Sequence, residues 1–393
     1  MREPPAAGSV PPVAVLTPVR ASADERERVV DDFVRLCEIE SPSRRERTMA
    51  DVVAADLRAL GLEVDEDDSR RETGSDAGNL LARIPARDGA RTILLCAHLD
   101  TVPLDAPVVV ERGEDGLITN RNEAILGADN KAAVAVILGV ARRLVREPGP
   151  VGVEILLTTC EELALAGAKA FDLGRLESDF GFVFDHASPI GELIVAAPTY
   201  FSVEAQFRGK AAHAGLAPEQ GHNAIAAAAA ALASLRFGRL DEITTSNVGR
   251  IVGGTASNVV AERCRVECEA RSIDHERAAA VAGDIVDAMT QAATDRACDV
   301  EIDVQELFRG FRMAKSATTV AVASAALEEL GVEPRQIVTG GGSDANSFQA
   351  RGFECLNVAN GTQAAHQPDE RVTVEALETM LDVALAIVRH SAP

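Results

Sequence analysis

Short runs that are almost wholly apolar, at 92–97 (TILLCA), 153–157 (VEILL) and 180–184, alternate along the first half of the chain with helical segments at 131–146 and 163–173. Strands apolar on both faces and joined by helices predict a largely parallel sheet with helices on both sides. Ahead of them, Ser22 with Glu25 and Ser43 with Glu46 each have the S-x-x-E spacing of a capping box, and Val53, Leu57 and Leu60 follow at helical spacing before Gly61. Two helices are therefore expected to open the fold.

Between 199 and 306 the pattern changes to strict alternation. Phe201, Val203, Ala205 and Phe207 are separated by Ser202, Glu204 and Gln206, and the same period recurs around Cys264–Ala270 and Val300–Val304. Such strands have one wet face, and the helical stretches 222–236 and 274–297 are available to cover the dry one. The order is β-α-β-β-α-β, that of a ferredoxin-like unit. The earlier pattern then resumes: a helix at 315–330 stopped by Gly331, apolar runs at 336–339 and 355–359, and a helix at 373–389. The expected organisation is an α/β domain in two pieces (24–198 and 307–393), a smaller domain inserted into it (199–306) and a loose Pro- and Ala-rich tail (1–23).

Composition narrows the partners. A chain of 393 residues that is 47% hydrophobic can fill two cores. With 39 Lys and Arg against 61 Asp and Glu, the formal charge of -22 repels phosphate backbones and anionic lipid, so neither nucleic acid nor membrane is an expected partner. Seven scattered cysteines without a C-x-x-C pair read as reduced, packed thiols, which fits a cytoplasmic location.

Ligands of open α/β sheets gather where the strands end at their carboxyl side. His98 and Asp100 follow 92–97, Glu161 and Glu162 follow the 153–159 run, Asp185 and His186 follow 180–184, and His366 lies in the loop after 355–359. Asp129 precedes the helix at 131–146 in the loop G-A-D-N-K. Each residue alone has an ordinary explanation, but two histidines and several carboxylates on one rim form a mixed N/O environment suited to zinc, and a bridging carboxylate allows two ions. Asp100, two residues beyond His98, is placed to accept the second imidazole N–H and fix its tautomer. If the backbone is extended at Glu161 and Glu162, the two side chains diverge, leaving one for metal and one for water.

The stretches CAHLDTVP, LGADNKAAVA, TTCEELALAGAK, GKAAHAGLAPE, GGTASNVVAE, EARS and GGGSDAN resemble, in order, the peptidase T-like branch of the dinuclear zinc peptidases that also include aminoacylases and carnosinase-type dipeptidases. The resemblance implies that Asp129 bridges two zinc ions (cobalt or manganese being alternatives), with His98 and Asp185 completing one site and Glu162 and His366 the other. It further implies Glu161 as the acid/base, a homodimer formed through the inserted domain, and His213 contributed to the partner's active site. Asn258 and Arg271 match positions that hold the substrate's polar end, and the glycine run 340–342, with Gly341 and Gly342, matches a substrate-binding loop lying against it. His186 departs from the pattern, which commonly has small residues or Asp-Gly there. The function implied is exopeptidase cleavage of short, tripeptide-like substrates by a zinc-activated hydroxide. An N-acyl amino acid deacylase on the same scaffold, or a metal-binding assembly protein without catalysis, would share these motifs.

Overall fold

The computed structural model describes residues 20–85 and 90–392. Most of the expected N-terminal tail lies outside them, but residues 20–22 are packed against the body: the Ala21 amide donates to the buried Asp382 carboxylate at 2.7 Å. Ser22 and Glu25 form the expected capping box on the helix Ala23–Cys37.

The runs apolar on both faces become the four parallel strands at the centre of the large sheet, in the order Gly152–Thr158, Thr92–His98, Phe180–His186 and Cys355–Ala359. Antiparallel strands Leu80–Ile84 and Glu192–Ala197 extend it on either side, and Arg335–Val338 runs parallel to Glu192–Ala197. Alternation within each central strand splits the core between the two faces. Ile93, Leu95 and Ala97 join the larger cluster beneath the helices Ala23–Cys37, Ala128–Arg146, Thr318–Glu329 and Val374–His390. Leu94 and Cys96 point the other way, onto Ala168, Phe348 and neighbours from the short helices Ala166–Ala170 and Asp344–Ala350. The mixed α/β fold with helices on both faces is thus the direct product of two-sided burial.

The alternating segments form a separate, wholly antiparallel sheet. Its order is Gly238–Asp241, Thr244–Gly253, Arg263–Ser272, Thr199–Arg208, Asp299–Phe308, so a short strand, Gly238–Asp241, is added to the expected order. Registers such as Phe207 with Cys264 and Ala205 with Val266 keep the apolar positions on one side. There the helix Ala224–Ser234 packs through Ala224, Ala227, Ala228 and Ala231, small residues at helical spacing that let it lie close to the sheet.

Two local expectations give way. The segment 163–173 is helical only over Ala166–Ala170, with one 3-10 turn at Leu173–Arg175. Ser43 and Glu46 form no capping box, because the helix Arg47–Ala59 starts without a side-chain cap and both polar groups are engaged elsewhere. The Ser43 hydroxyl donates to Asp100, and the Glu46 carboxylate is buried under the Cys160 turn.

Candidate metal centre

Parallel strands deliver their last residues to one edge, and His98, Asp185 and the Glu161–Glu162 turn meet there. His98 is buried, and its Nδ1 lies 2.9 Å from the backbone carbonyl of Asp100. A carbonyl only accepts, so Nδ1 carries a proton and Nε2 is the atom that faces the cluster. Nε2 lies 3.3 Å from Asp129 Oδ1 and 3.4 Å from Asp185 Oδ1. The other oxygen of Asp129 faces a second histidine, with His366 Nε2 at 3.4 Å, and that same nitrogen is 2.8 Å from Glu162 Oε1. One carboxylate therefore stands between two histidine-containing groups.

The Asp100 side chain works differently from the sequence expectation. Its carboxylate is 3.4 Å from His98 Nδ1, farther than its own carbonyl, and serves chiefly as an acceptor for the next loop: Oδ1 from the Glu161 amide at 2.9 Å, Oδ2 from the Glu162 amide at 3.2 Å and from the Ser43 hydroxyl at 2.7 Å. Nor is the backbone extended here. Cys160, Ala164 and Leu165 have positive φ values, and the Leu165 amide closes a turn onto the Glu161 carbonyl. From this turn both carboxylates reach the neighbourhood of His98, Glu161 beside Asp185 and Glu162 beside Asp129. Glu46 completes the support, accepting from the Cys160 amide at 3.0 Å and from Ser75 Oγ at 2.5 Å.

Asp129 sits in a loop that precedes the regular part of its helix. Gly127 is left-handed at φ 77°, and Asp129 and Asn130 depart from helical geometry. Glu370, buried and distant in sequence, accepts from the amides of Gly127 and Asp129. Asp185 is held by Asn357, which accepts from its amide and donates to its carbonyl, each at 3.0 Å. Glu46, Glu370 and Asn357 were not singled out in the sequence. The only trace of Glu46 there was an S-x-x-E pattern read as a helix cap.

The electrostatics are those of crowded, buried acids. Burial pushes the Asp185 carboxyl up to about 8 and Glu161 well above the usual range, the neighbouring Asp185 charge adding to the latter. Glu162 is also raised by burial. For Asp129, burial is outweighed by the hydrogen bonds it accepts from His366 and His98, which hold it below the ordinary value, while donating to Asp129 and Glu162 raises His366 to about 10. Negative charge thus exceeds what two imidazoles can balance, and divalent cations would neutralise it. The donor set fits such ions: ligand atoms of His98, Glu161 and Asp185, and of His98, Asp129 and Glu162, lie within 4.8 Å of one another in each group. Geometry alone would admit Glu161 as a ligand. What separates the two glutamates is the contact of Glu162 with His366. The centre opens on the side of His366, whose side chain is 49% exposed.

The remaining predicted residues are not among the donors of this cluster. His213 and Asn258 occupy two paired, exposed loops of the antiparallel domain, where the Ala214 amide donates to the Asn258 carbonyl and His213 pairs with Val259. Arg271 is near the opposite end of that sheet, eight residues along the strand from Arg263, on the order of 25 Å at strand rise. Its guanidinium stacks 4.0 Å from the Tyr200 ring centroid, donates to Glu269 and reaches the Gly340 carbonyl at 3.3 Å, beside Gly341 and Gly342. Within one chain the structure does not bring His213 and Asn258 to Arg271. His186, half-buried at the end of its strand, has its imidazole pKa lowered by burial.

Residues 94–390 match peptidase family M20/M25/M40. The chain is 34% identical over 370 residues to the uncharacterized protein YqjE of Bacillus subtilis, covering 93% of this chain and 99% of that one. Among solved structures it is similar to aminopeptidase PepT from Bacillus cereus (36% identity, TM-score 0.84) and to a tripeptidase from Staphylococcus aureus (31%, TM-score 0.88), each match covering 93% of this chain and 98% of the other. With its fold shared throughout and its sequence matched over most of its length, the chain belongs to peptidase family M20/M25/M40.

Proposed function

We propose that this protein is a zinc-dependent exopeptidase of peptidase T-like type that cleaves short peptides. The observation that carries the reading is Asp129, whose two oxygens face His98 and His366 separately. In this assignment His98 and Asp185 would hold one cation, Glu162 and His366 the other, and Asp129 would serve both, with cobalt or manganese able to use the same donors. Bound there, the cations supply Lewis-acid polarisation of the scissile carbonyl and acidify water.

Glu161, buried beside the cluster and raised in pKa, takes the proton from the attacking water and returns it to the departing amine nitrogen. Asp100 and Glu46 fix the turn from which it projects. Arg271, next to Gly341 and Gly342, receives the polar end of the peptide on the catalytic side of the lid. His213 and Asn258, too far along the sheet to reach that place in their own chain, act in a second subunit, where His213 stabilises the developing oxyanion.

Residues 199–306 accordingly form the lid and dimer domain. An open edge supports this: the outer strand Gly238–Asp241 covers only Thr244–Ser246, leaving the rest of Thr244–Gly253 without an outer neighbour among the described residues. Ile251 and Val252 on that edge are 47% and 53% exposed, so a second copy could add its own strand. All seven cysteines are free and buried, in keeping with a cytoplasmic protein.

The test is Glu161→Gln, assayed on a panel of tripeptides and N-acyl amino acids. Turnover of tripeptides should fall by about 10²-fold or more, the usual share of a general acid/base, with metal content unchanged. Near-normal turnover would sink the assignment, and wild-type preference for the acyl substrates would sink the peptidase reading.

A further inference from the structure

The loop that carries His366 is a closed unit. Gln363 and Arg371 exchange both backbone hydrogen bonds at its neck, at 2.9 and 3.0 Å, and within it the Gln367 amide donates to Ala364 and the Glu370 amide to Gln367. His366 is therefore tied to Glu370 by a short, internally bonded turn. The two side chains differ in exposure, His366 being half-exposed at the mouth of the metal centre and Glu370 1% exposed.

Buried, Glu370 spends both oxygens on a loop more than 240 residues earlier. Oε2 accepts from the Gly127 amide at 2.7 Å and Oε1 from the Asp129 amide at 2.9 Å. The charge is not isolated, since the ammonium of Lys131 is buried in the same region, against the carbonyl of Ile39. A charged acceptor for two orphan amides is the strongest tie available to such a loop. His98 and Asp185, by contrast, are fixed by their strands, the Asp100 carbonyl and Asn357, none of which involves Glu370.

We propose that Glu370 is a positioning residue that locks the Asp129 loop to the His366 loop and so sets the geometry of one cation position, that of Glu162 and His366, without governing the other. The inference rests on the dinuclear reading above. Removing the tie leaves the Asp129 carboxylate held at His98 but frees the His366 loop to drift away from it. Loss of a group that orients metal ligands typically weakens metal affinity 10- to 100-fold.

The experiment is a zinc titration of metal-free protein against a chromophoric chelator, for wild type and Glu370→Gln, with thermal melting of each metal-free form. Wild type should take two zinc ions. The variant, folded and isosteric but with one oxygen replaced by a donor, should take the first with unchanged affinity and the second 10- to 100-fold more weakly. Two ions bound as tightly as in wild type, or both weakened alike, overturn the proposal. If the Gln variant does not fold, Glu370→Asp, which keeps the charge but cannot span both amides, is titrated instead, and an undiminished second site there overturns it equally. A wild type that takes fewer than two ions refutes the dinuclear reading itself, an outcome separate from failure of the Glu370 assignment.

Discussion

Asp100→Asn isolates what a buried carboxylate does for the catalytic turn. The substitution keeps shape and removes charge. Asparagine offers one acceptor oxygen and one donor nitrogen where aspartate offers two acceptors, so one of the three groups now bound to it must lose its partner. Ser43 can adapt, because its hydroxyl rotates to accept as readily as it donates. The cost therefore falls on a backbone amide. The less costly arrangement puts the new NH2 in place of Oδ2, keeping the Glu161 amide at 2.9 Å and giving up the longer contact to Glu162 at 3.2 Å. A bond to a charged acceptor contributes about 1.5–3 kcal/mol, and a buried amide left unpaired costs about 1–3 kcal/mol, two views of the same loss. We expect metal-free protein to unfold about 2–3 kcal/mol more easily in urea. Displacement of Glu162 should also weaken the His366 side of the metal centre, and a shift on the order of 1 Å at the turn should cost about 10²-fold in kcat. Urea melts of the metal-free form and tripeptide hydrolysis at saturating zinc measure the two effects separately. Unfolding within about 0.5 kcal/mol of wild type together with wild-type kcat would refute the idea that this carboxylate seats the turn.

Other perturbations test other parts of the molecule. Mixing His213→Ala with Glu161→Gln subunits should restore part of the activity each lacks alone, and no recovery after verified subunit exchange would rule out a shared site. Gly342→Ala should destabilise by about 1–3 kcal/mol, since its Cβ would stand 2.7 Å from Cε2 of Phe308; a melting temperature equal to wild type would contradict that crowding. Arg143, hydrogen-bonded to Glu25, lowers that carboxyl to about 2. The folded value lies below the unfolded one, so the pair stabilises above about pH 4.5 and that stability is lost as pH falls toward 2. Glu25→Gln should accordingly melt lower than wild type at pH 6 and converge on it near pH 2, whereas a constant offset would exclude the linkage. Chelation should lower the melting temperature and abolish hydrolysis, both returning with zinc; chelator-resistant turnover would exclude metal dependence.

How far the sequence carries depends on whether a residue acts through its side-chain type or through where a distant chain happens to pass. The parallel core was legible because strands buried on two faces, such as 92–97, have no polar positions to hide, and strand ends on one edge made His98, Asp185 and the glutamate pair neighbours before any coordinates. The supporting groups had no such signature. Glu46 and Glu370 look like ordinary surface acids in a chain with 61 of them, and what makes them special is a backbone amide 114 or 241 residues away. The S-x-x-E pattern of Ser43 and Glu46 does not become a helix cap, since a hydroxyl can donate to any nearby acceptor and a carboxylate can accept from any nearby N–H, and the turn at Glu161 engages both. The Glu161–Glu162 pair shows the same limit: alternation along an extended strand predicts diverging side chains, but the chain turns here and both carboxylates come close to His98. Ligand types are thus encoded locally, whereas ligand geometry is set by buried acids bound to main-chain amides, and it is at Asp100, Glu46 and Glu370 that substitutions should alter the metal centre without touching a ligand.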